Sequence, residues 1–314
     1  MELNSKIYVA GHTGLLGSAI VRELVSQGYG NLIGKTSKEL DLRDRTATEA
    51  LFESEKPDYV FLAAAKVGGI KANIERPAEF LYDNTQIQNN VIDLSHKYGV
   101  KKLLFFGSNC AYARDCPQPM KEEFLFSGEL EPTNEAYAIA KLSGIKLCEF
   151  YNKQYGTDFV TAIPASLFGP NDNFNLETSH LVPALIKRFH DAKVSSLENV
   201  VLWGSGNPRR EIMYVDDAAK ASIFLMDNYN SGNPINMGIG KDYSIKELAE
   251  IVKGIVGYKG KISFDVSQPD GMPRKLLDSS KINALGWKRT TSVEWGLSKT
   301  YSWFLDNIKM YDGE

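Results

Sequence analysis

The first half of the chain alternates short apolar runs with amphipathic segments of helical length, and this alternation constrains the fold more than any other feature. Runs such as Ile7–Ala10 and Lys102–Phe106 predict buried strands, and the periodic segments between such runs predict helices. Strands that alternate with helices pair in parallel and carry helices on both faces of the sheet. The pattern therefore predicts an α/β fold with a Rossmann-type, doubly wound parallel sheet.

The pattern loosens after Phe168, where turn-rich sequence follows. We predict a dinucleotide-binding domain at 1–168, to which about 211–240 returns, and a smaller, interleaved α/β lobe mainly at 169–314. That lobe would bind substrate over the carboxyl edge of the sheet, where ligands of open α/β sheets bind. Strands are predicted at 7–10, 32–33, 59–63, 102–106, 159–163 and 234–237, and helices at 15–27, 84–98, 136–155, 183–192, 216–226 and 244–256.

A glycine loop follows the first strand and opens the first helix, with the spacing G-x-x-G-x-x-G. Small residues allow a tight turn and close approach to a pyrophosphate, and the helix N-terminus offers free N–H groups to the phosphates. A bare turn would have the same glycines, but the position in a βαβ series favours dinucleotide binding. The loop residues are Gly11, His12, Thr13, Gly14, Leu15, Leu16 and Gly17.

The end of the second predicted strand bears on the choice of dinucleotide. An acidic residue there would bind the ribose diol of NAD, but the segment that follows the strand, Gly34–Lys38, contains no acid before Glu39. Lys35, Ser37 or Lys38 could instead accommodate a 2′-phosphate, which favours NADP, unless the lysines are only solvated surface. The residues that we assign to this end of the cofactor are Ser37, Asp41 and Leu42.

The overall composition and charge limit which partners and which cellular compartment we expect for this protein. The net charge is −3, from 36 basic and 39 acidic residues, so neither nucleic acid nor an anionic membrane is an expected partner. The start of the chain lacks a signal-peptide core, and no apolar run approaches the roughly 20 residues that span a bilayer. Cys110, Cys116 and Cys148 form neither a disulfide set nor a metal-ligand pattern. We expect a cytoplasmic enzyme without a metal.

A catalytic group is predicted at the end of the fourth strand. Tyr137 and Lys141 are four residues apart, so they share a helix face, and Ser108 follows the strand. An ammonium near a phenol favours the phenolate, and the serine can hydrogen-bond the same substrate oxygen. Alone, the Tyr–Lys spacing would more often be an exposed helix pair. With the glycine loop and the serine, it predicts carbonyl reduction.

These features resemble the extended short-chain dehydrogenase/reductase superfamily, and longer blocks resemble its GDP-L-fucose synthase family. The block Gly107-Ser108-Asn109-Cys110 is one of them. The others lie at 117–123, 130–141, 169–174, 179–180 with 183–185, 203–206 and 269–275, so the resemblance runs nearly end to end. The family converts GDP-4-keto-6-deoxy-D-mannose to GDP-L-fucose with NADPH, epimerising C3 and C5 before it reduces C4.

The resemblance implies roles for residues that the superfamily pattern does not explain. Cys110 would abstract the protons that the C4 ketone acidifies, His180 would return protons to the opposite face of the sugar, and Tyr137 would protonate the new alkoxide. It implies NADP(H) contacts by Phe106, Gly107, Ser108, Asn109, Lys141, Pro164, Ala165, Ser166, Leu167 and His180. It implies GDP-sugar contacts by Arg188, Trp203, Arg210 and Asp270. A homodimer through the helices at 84–98 and 136–155 is the matching expectation.

Some positions depart from the family pattern. Thr13 stands where arginine is frequent, Ser166 where asparagine is common, and 111–114 differs from the usual Ile-Tyr-Pro-Lys. The alternatives are a related GDP-sugar C4 reductase without epimerisation, or an epimerase/reductase that acts on a GDP-4-keto-heptose. A 4,6-dehydratase would carry an acidic pair where Asn109 and Cys110 stand. A non-catalytic NADP-binding protein would lack one of the three superfamily residues, and none is missing.

Overall fold

The computed structural model describes residues 1–268 and 270–311. Pro269, part of the 269–275 block, lies outside the described residues. The strands are β1 Ile7–Ala10, β2 Leu32–Ile33, β3 Tyr59–Leu62, β4 Lys102–Phe106, β5 Phe159–Pro164, β6 Ser166–Phe168, β7 Asn199–Trp203, β8 Arg209–Arg210, β9 Ile212–Tyr214, β10 Ile235–Met237, β11 Tyr243–Ser244, β12 Lys261–Asp265 and β13 Arg274–Lys275. The helices are α1 Leu15–Ser26, α2 Arg45–Glu55, α3 Ile70–Glu75, α4 Pro77–Lys97, α5 Glu135–Tyr155, α6 Leu181–Val194, α7 Val215–Asn228, α8 Ile245–Val256, α9 Ser280–Ala284 and α10 Val293–Asp306.

Among the described residues, six strands form a parallel sheet in the order β2-β1-β3-β4-β5-β10. The parallel sheet predicted from the strand–helix alternation is therefore confirmed. The central strands β1 and β4 are buried along their whole length, as expected for strands covered on both faces. Because β1 has β2 on one side and β3 on the other, the winding reverses at β1. Its carboxyl end is the crevice where ligands of such sheets bind.

Element ends follow local signals in the sequence. The helix predicted at 84–98 begins earlier, at Pro77, because proline suits the first helical position, where its missing N–H costs nothing. Helix α2 was not predicted, although Asp44 caps it by accepting a hydrogen bond from the Ala47 N–H. Helix α5 ends at Gly156, whose φ of 69° lies in the left-handed region that glycine adopts readily.

The buried apolar side chains form two clusters. One surrounds the central sheet and includes Val9, Phe105 and Val160. The other lies in the second half of the chain, where Phe189 and Phe304 are fully buried. A small sheet in the order β11-β8-β13 also belongs to the second half. The domain boundaries stated above stay a prediction.

None of the described helices combines the length and the apolar character needed to cross a membrane.

Candidate active site

The glycine loop has the shape that a pyrophosphate needs. A Cβ on Gly11, where φ is +83°, would lie 2.8 Å from the Ala64 backbone, and one on Gly17 would lie 2.1 Å from the Gly11 carbonyl oxygen. Gly14 is exposed and caps α1 without a side-chain hydrogen bond. The first-turn N–H groups of α1 have no acidic partner in that turn, so they can receive an anion.

His12 closes this loop onto the end of β2. Its ring lies so close to Gly34 that a Cβ there would come within 2.6 Å of it. The His12 Nδ1 atom is buried and has no hydrogen-bond partner in the described part of the chain. A buried polar atom without a partner costs free energy, so Nδ1 is suited to bind a ligand or water. Thr13 is exposed beside it, and Leu15 and Leu16 are half-buried.

Glu39, the first acid after β2, is already engaged. Its carboxylate accepts hydrogen bonds from the Thr36 N–H at 2.8 Å and from the Thr36 hydroxyl at 2.7 Å. These bonds, chiefly the backbone one, lower the pKa of Glu39. Lys35, Ser37 and Lys38 are exposed around it. The segment therefore presents cations and a hydroxyl group, as the NADP prediction requires.

The two residues predicted for the adenine side have different environments. Asp41 is exposed and accepts bonds from the Arg43 Nε atom at 2.9 and 3.1 Å, which lowers its pKa. Leu42 is buried, and its carbonyl accepts a bond from Asn90 at 2.9 Å. Leu42 is thus fixed by its packing, whereas Asp41 is held through Arg43.

The predicted reductive group is brought together at the end of β4. Lys141 is buried, donates a hydrogen bond to the Phe106 carbonyl at 2.9 Å, and lies 5.8 Å from the centre of the Tyr137 ring. Burial lowers the pKa of Lys141 to about 8. Burial, with the charge of Cys110 added, raises the pKa of Tyr137, and a hydrogen bond between Tyr137 and Ser108 offsets part of that rise.

The protonation of this pair differs from the expectation for an exposed phenol beside an ammonium. In the enclosed site, desolvation disfavours both charged forms and outweighs their attraction. Tyr137 therefore keeps its proton at neutral pH and is a proton donor. This state suits reduction of a carbonyl, in which the new alkoxide must be protonated.

Cys110 sits on a short 3-10 helix, Asn109–Ala111, directly after β4. Ser108 caps that helix by accepting a bond from the Cys110 N–H at 3.1 Å, so both residues are fixed in one turn. The Cys110 sulfur accepts bonds from the Asn134 side-chain amide at 3.2 Å and from Lys275 Nζ at 3.4 Å. Cys110 is half-buried, whereas Cys116 and Cys148 are buried, and burial raises the pKa of both thiols.

Lys275 is the residue that sequence reasoning missed. It lies in the 269–275 block, but nothing in the sequence indicates that β13 pairs in parallel with β8, and this pairing brings Lys275 to the site. That pairing places Lys275 opposite Arg210. Asp242 binds Arg209 and Arg274, and successive side chains of a strand point to opposite faces. The side chains of Lys275 and Arg210 therefore lie on the other face of the small sheet, toward Cys110.

His180 caps the N-terminus of α6 from a fixed loop. The Gly69 N–H donates to the Thr178 carbonyl at 3.0 Å, and a Cβ on Gly69 would lie 2.8 Å from the Ser179 carbonyl oxygen. The His180 side chain is exposed at the surface. Many protein atoms nevertheless lie close to its ring. The loss of hydration caused by these atoms is the main reason that the pKa of His180 is lowered, and the charge of Lys275 lowers it further. Lys275 thus donates a hydrogen bond to Cys110 and lowers the pKa of His180.

The four predicted GDP-sugar residues come from several elements of the second half. Arg210 is half-buried, burial lowers its pKa, and it attracts Asp270 and Cys110 electrostatically. The Asp270 carboxylate accepts bonds from the Ser205 N–H at 2.6 Å and from the Ser205 hydroxyl at 2.7 Å.

The other two predicted GDP-sugar residues lie further along the second half. Arg188 lies half-buried on α6, and Trp203 ends β7 with 63% of its surface exposed. Arg210 and Asp270 are therefore brought together, while Arg188 and Trp203 lie on two packed elements.

The remaining predicted cofactor residues lie where β5 continues into β6. The Ala165 N–H donates to the Met237 carbonyl at 2.9 Å, and the Asn109 amide donates to the Ser166 hydroxyl at 3.5 Å. These residues share the carboxyl edge of the sheet with the glycine loop and the Ser108 turn. The segment is Pro164, Ala165, Ser166 and Leu167.

Known proteins agree with this arrangement. A family model described as "NAD dependent epimerase/dehydratase family" matches residues 7–240. A relative from Arabidopsis thaliana, "Putative GDP-L-fucose synthase 2", is 54% identical over 98% of this chain and 94% of its own. The solved structure of a GDP-6-OMe-4-keto-L-xylo-heptose reductase from C. jejuni has a TM-score of 0.94 at 39% identity, covering 98% of this chain and 99% of that one. A GDP-L-fucose synthetase from Naegleria fowleri bound to NADP has a TM-score of 0.92 at 33% identity, covering 98% and 95%.

These matches confirm the resemblance found in the sequence, since they extend over nearly the whole chain and include proteins named for the same reaction. The chain therefore belongs to the NAD dependent epimerase/dehydratase family.

Proposed function

We propose that the protein converts GDP-4-keto-6-deoxy-D-mannose to GDP-L-fucose by epimerising C3 and C5 and reducing C4 with NADPH. One observation carries the proposal: Cys110 and Tyr137 share a site and are linked through Ser108, which bonds the backbone of the first and the side chain of the second. A thiol next to a phenol supplies a base for carbon acids and a proton donor for an alkoxide. Relatives named for this reaction support the choice of substrate.

The residues present fit NADP(H). The open N-terminus of α1 and the glycine loop would hold the pyrophosphate, and Lys35, Ser37 and Lys38 would face the 2′-phosphate. When bound, NADPH supplies the hydride for C4. Asp41 and Leu42, the turn at Phe106–Asn109, the segment Pro164–Leu167, Lys141 and His180 are the further proposed contacts.

Epimerisation needs a base and an acid on opposite faces of the sugar. The C4 ketone acidifies the protons on C3 and C5, so Cys110 as thiolate can take a proton from each carbon in turn. His180 would return a proton to the other face. Because the pKa of His180 is lowered, its protonated ring is a stronger acid than free histidine and releases its proton readily.

Reduction needs a proton at O4. Tyr137 keeps its proton because burial raises its pKa, and the new alkoxide is basic enough to take it. The bond from Lys141 to the Phe106 carbonyl fixes the ammonium beside the phenol, where it can stabilise the phenolate left after the transfer. Arg210, Arg188, Trp203 and Asp270 would hold the GDP-sugar, since guanidinium groups suit a pyrophosphate.

A second candidate is C4 reduction of a GDP-4-keto-heptose, with or without epimerisation. The structural similarity to the C. jejuni heptose reductase favours it, and so does the departure of Ser166 and Arg114 from the fucose synthase pattern. We rank it second because the relatives named for fucose synthesis reach higher identity.

The experiment offers GDP-4-keto-6-deoxy-D-mannose with NADPH or NADH in heavy water. We expect GDP-L-fucose with deuterium at C3 and C5, formed faster with NADPH. NADPH consumption without deuterium at either carbon would leave only the reductase. No consumption with this sugar, but consumption with a GDP-4-keto-heptose, would establish the second candidate.

We further propose a cytoplasmic homodimer that pairs through α4 and α5. Tyr82 on α4 and Phe150 and Tyr155 on α5 expose 63%, 54% and 50% of their surfaces, and pairing would cover them. Light scattering after size exclusion should give twice the 35.0 kDa chain mass. A mass of one chain would contradict the dimer.

A further inference from the structure

Resting on the proposed function, we infer that Lys275 is the positioning residue that holds Cys110 as the thiolate, the form in which it can act as a base. The ammonium of Lys275 lies 3.4 Å from the Cys110 sulfur. Cys110 itself would touch the substrate, and Lys275 acts through it. The role concerns the epimerase half of the reaction and not hydride transfer.

The setting of Lys275 differs from that of an ordinary lysine. It is 9% exposed, and no carboxylate lies within ion-pair distance of its Nζ atom among residues 1–268 and 270–311. A buried ammonium normally has an anionic partner, because removing a charge from water is costly. The Cys110 sulfur is the acceptor that the structure gives Lys275, so a thiolate there would complete an ion pair.

The strand that carries Lys275 is fixed from several sides. The Glu211 N–H donates to the Lys275 carbonyl at 3.0 Å, and the Glu211 carboxylate accepts from the Leu277 N–H at 2.8 Å. Asp242 binds Arg274, the preceding residue, on the opposite face of the strand. The backbone on both sides of Lys275 is therefore held, and the position of its ammonium follows from the fold.

Among the other groups around Cys110, a second cation and an amide donor also favour the thiolate, and one acceptor opposes it. Arg210, paired with Lys275 across the two strands, attracts Cys110 electrostatically from β8. The Asn134 amide donates to the sulfur at 3.2 Å, and Tyr137 faces it from α5. The Asn109 side-chain oxygen, 3.7 Å away, accepts a hydrogen bond from the thiol form. Both cations and the amide donor stabilise negative charge on the sulfur, which is the state that the inference assigns to Cys110.

The proton balance of each epimerisation step is then simple. The thiolate of Cys110 takes a proton from C3 or C5 and becomes a thiol, and the electron pair of the broken C–H bond moves into the enolate of the C4 ketone. His180 gives a proton to the opposite face of that carbon, and solvent restores both groups. Lys275 keeps its proton throughout and supplies a constant positive charge.

Alkylation of Cys110 tests the inference without any sugar substrate. Iodoacetamide reacts with the thiolate, and peptide mapping by mass spectrometry separates Cys110 from the two buried cysteines. At pH 7.5, Lys275→Met should slow the alkylation of Cys110 about tenfold, while Lys275→Arg should stay within about twofold of the wild type. The matched control is Arg274→Met, which removes a positive charge from the adjacent residue on the other face and should also stay within about twofold.

An unchanged rate in Lys275→Met, or equal slowing in Arg274→Met, would overturn the inference. A second measurement needs no change at Lys275: the difference in absorbance near 240 nm between the wild type and Cys110→Ser at pH 7.5. A thiolate band is expected, and its absence would also overturn the inference. Neither measurement depends on turnover, so failure of the proposed function would appear separately, as loss of deuterium incorporation in the wild type.

Discussion

Arg210 and Lys275 are register partners on the parallel strands β8 and β13, and the electrostatic influence of both reaches Cys110. The small sheet of the second half thus supplies positive charge to a cysteine that the central sheet holds at the end of β4. Tyr137 and Lys141, in contrast, lie on α5 and bond to residues at the end of β4, Tyr137 to Ser108 and Lys141 to the Phe106 carbonyl. Under the proposed mechanism, the chemistry at the carbon acids therefore draws on both halves of the chain, whereas protonation of the alkoxide draws on α5 and the end of β4.

Replacing Cys110 with serine should separate the two halves of the reaction. A serine hydroxyl is a much weaker acid than a thiol, so Cys110→Ser should lower deuterium incorporation at C3 and C5 about 100-fold or more. NADPH oxidation with an already epimerised ketosugar should fall less than about threefold. Cys116→Ser, at a buried thiol away from the site, is the control and should leave both rates unchanged. Equal loss of both activities in Cys110→Ser would contradict this division.

Tyr137→Phe should have the opposite effect. Without the phenol proton, C4 reduction should slow about 100-fold or more, because general acid catalysis typically contributes at least that much. Deuterium exchange at C3 and C5, followed by mass spectrometry of the recovered ketosugar, should continue. Tyr155→Phe, on the same helix but exposed, provides the comparison. If exchange also stops in Tyr137→Phe, the phenol takes part in epimerisation as well.

Most of the fold could be predicted from the sequence, because the signals that mark the central sheet are local. Apolar runs mark β1 and β4, and Gly156 marks the end of α5. Helix α4 begins seven residues before the predicted start at 84, although Pro77 is itself a start signal, because the polar residues after it obscure the helical pattern. The short strands β8 and β13 could not be predicted, since both consist only of cationic residues and have no apolar run.

For the site too, features set by local sequence could be predicted, and features set by distant contacts could not. Tyr137, Lys141 and Ser108 could be predicted to meet, because helix spacing and a strand end place them. Their protonation could not, since desolvation depends on the atoms packed around them and reverses the effect expected from charge alone. Lys275 could not be placed beside Cys110 either, because their contact requires a strand pairing between distant parts of the chain.

The segment after β2 should determine the preference for NADPH. Lys35 and Lys38 are exposed, and one oxygen of the Glu39 carboxylate already accepts two bonds from Thr36, which makes Glu39 a poorer partner for a ribose diol. The double variant Lys35→Glu/Lys38→Glu should raise the KM for NADPH about tenfold or more, because two negative charges then repel the 2′-phosphate. The KM for NADH should change little. Lys309→Glu, an exposed charge reversal elsewhere, controls for net charge, and an equal rise for both coenzymes would contradict the assignment.

Asp172 gives a prediction about stability and pH. It is 5% exposed, its Oδ2 atom has no hydrogen-bond partner among the described residues, and burial raises its pKa from 3.8 to about 7. Well below pH 3.8 the carboxyl is neutral in both the folded and unfolded states, so its ionisation has no effect on stability. As the pH rises toward 7, the unfolded state ionises first, and folding becomes less favourable. Above pH 7 the whole penalty is present.

Asp172→Asn, which keeps the acceptor for the Asn173 N–H, should therefore increase the free energy of unfolding at pH 8 by about 2 to 4 kcal/mol. The gain should shrink to about 1 kcal/mol at pH 4.5, as urea titrations at the two pH values would measure. Asp115→Asn, at an exposed carboxylate, should change stability by less than about 0.5 kcal/mol at either pH. A gain that is the same at both pH values would mean that packing, and not ionisation of the buried carboxyl, separates the variant from the wild type.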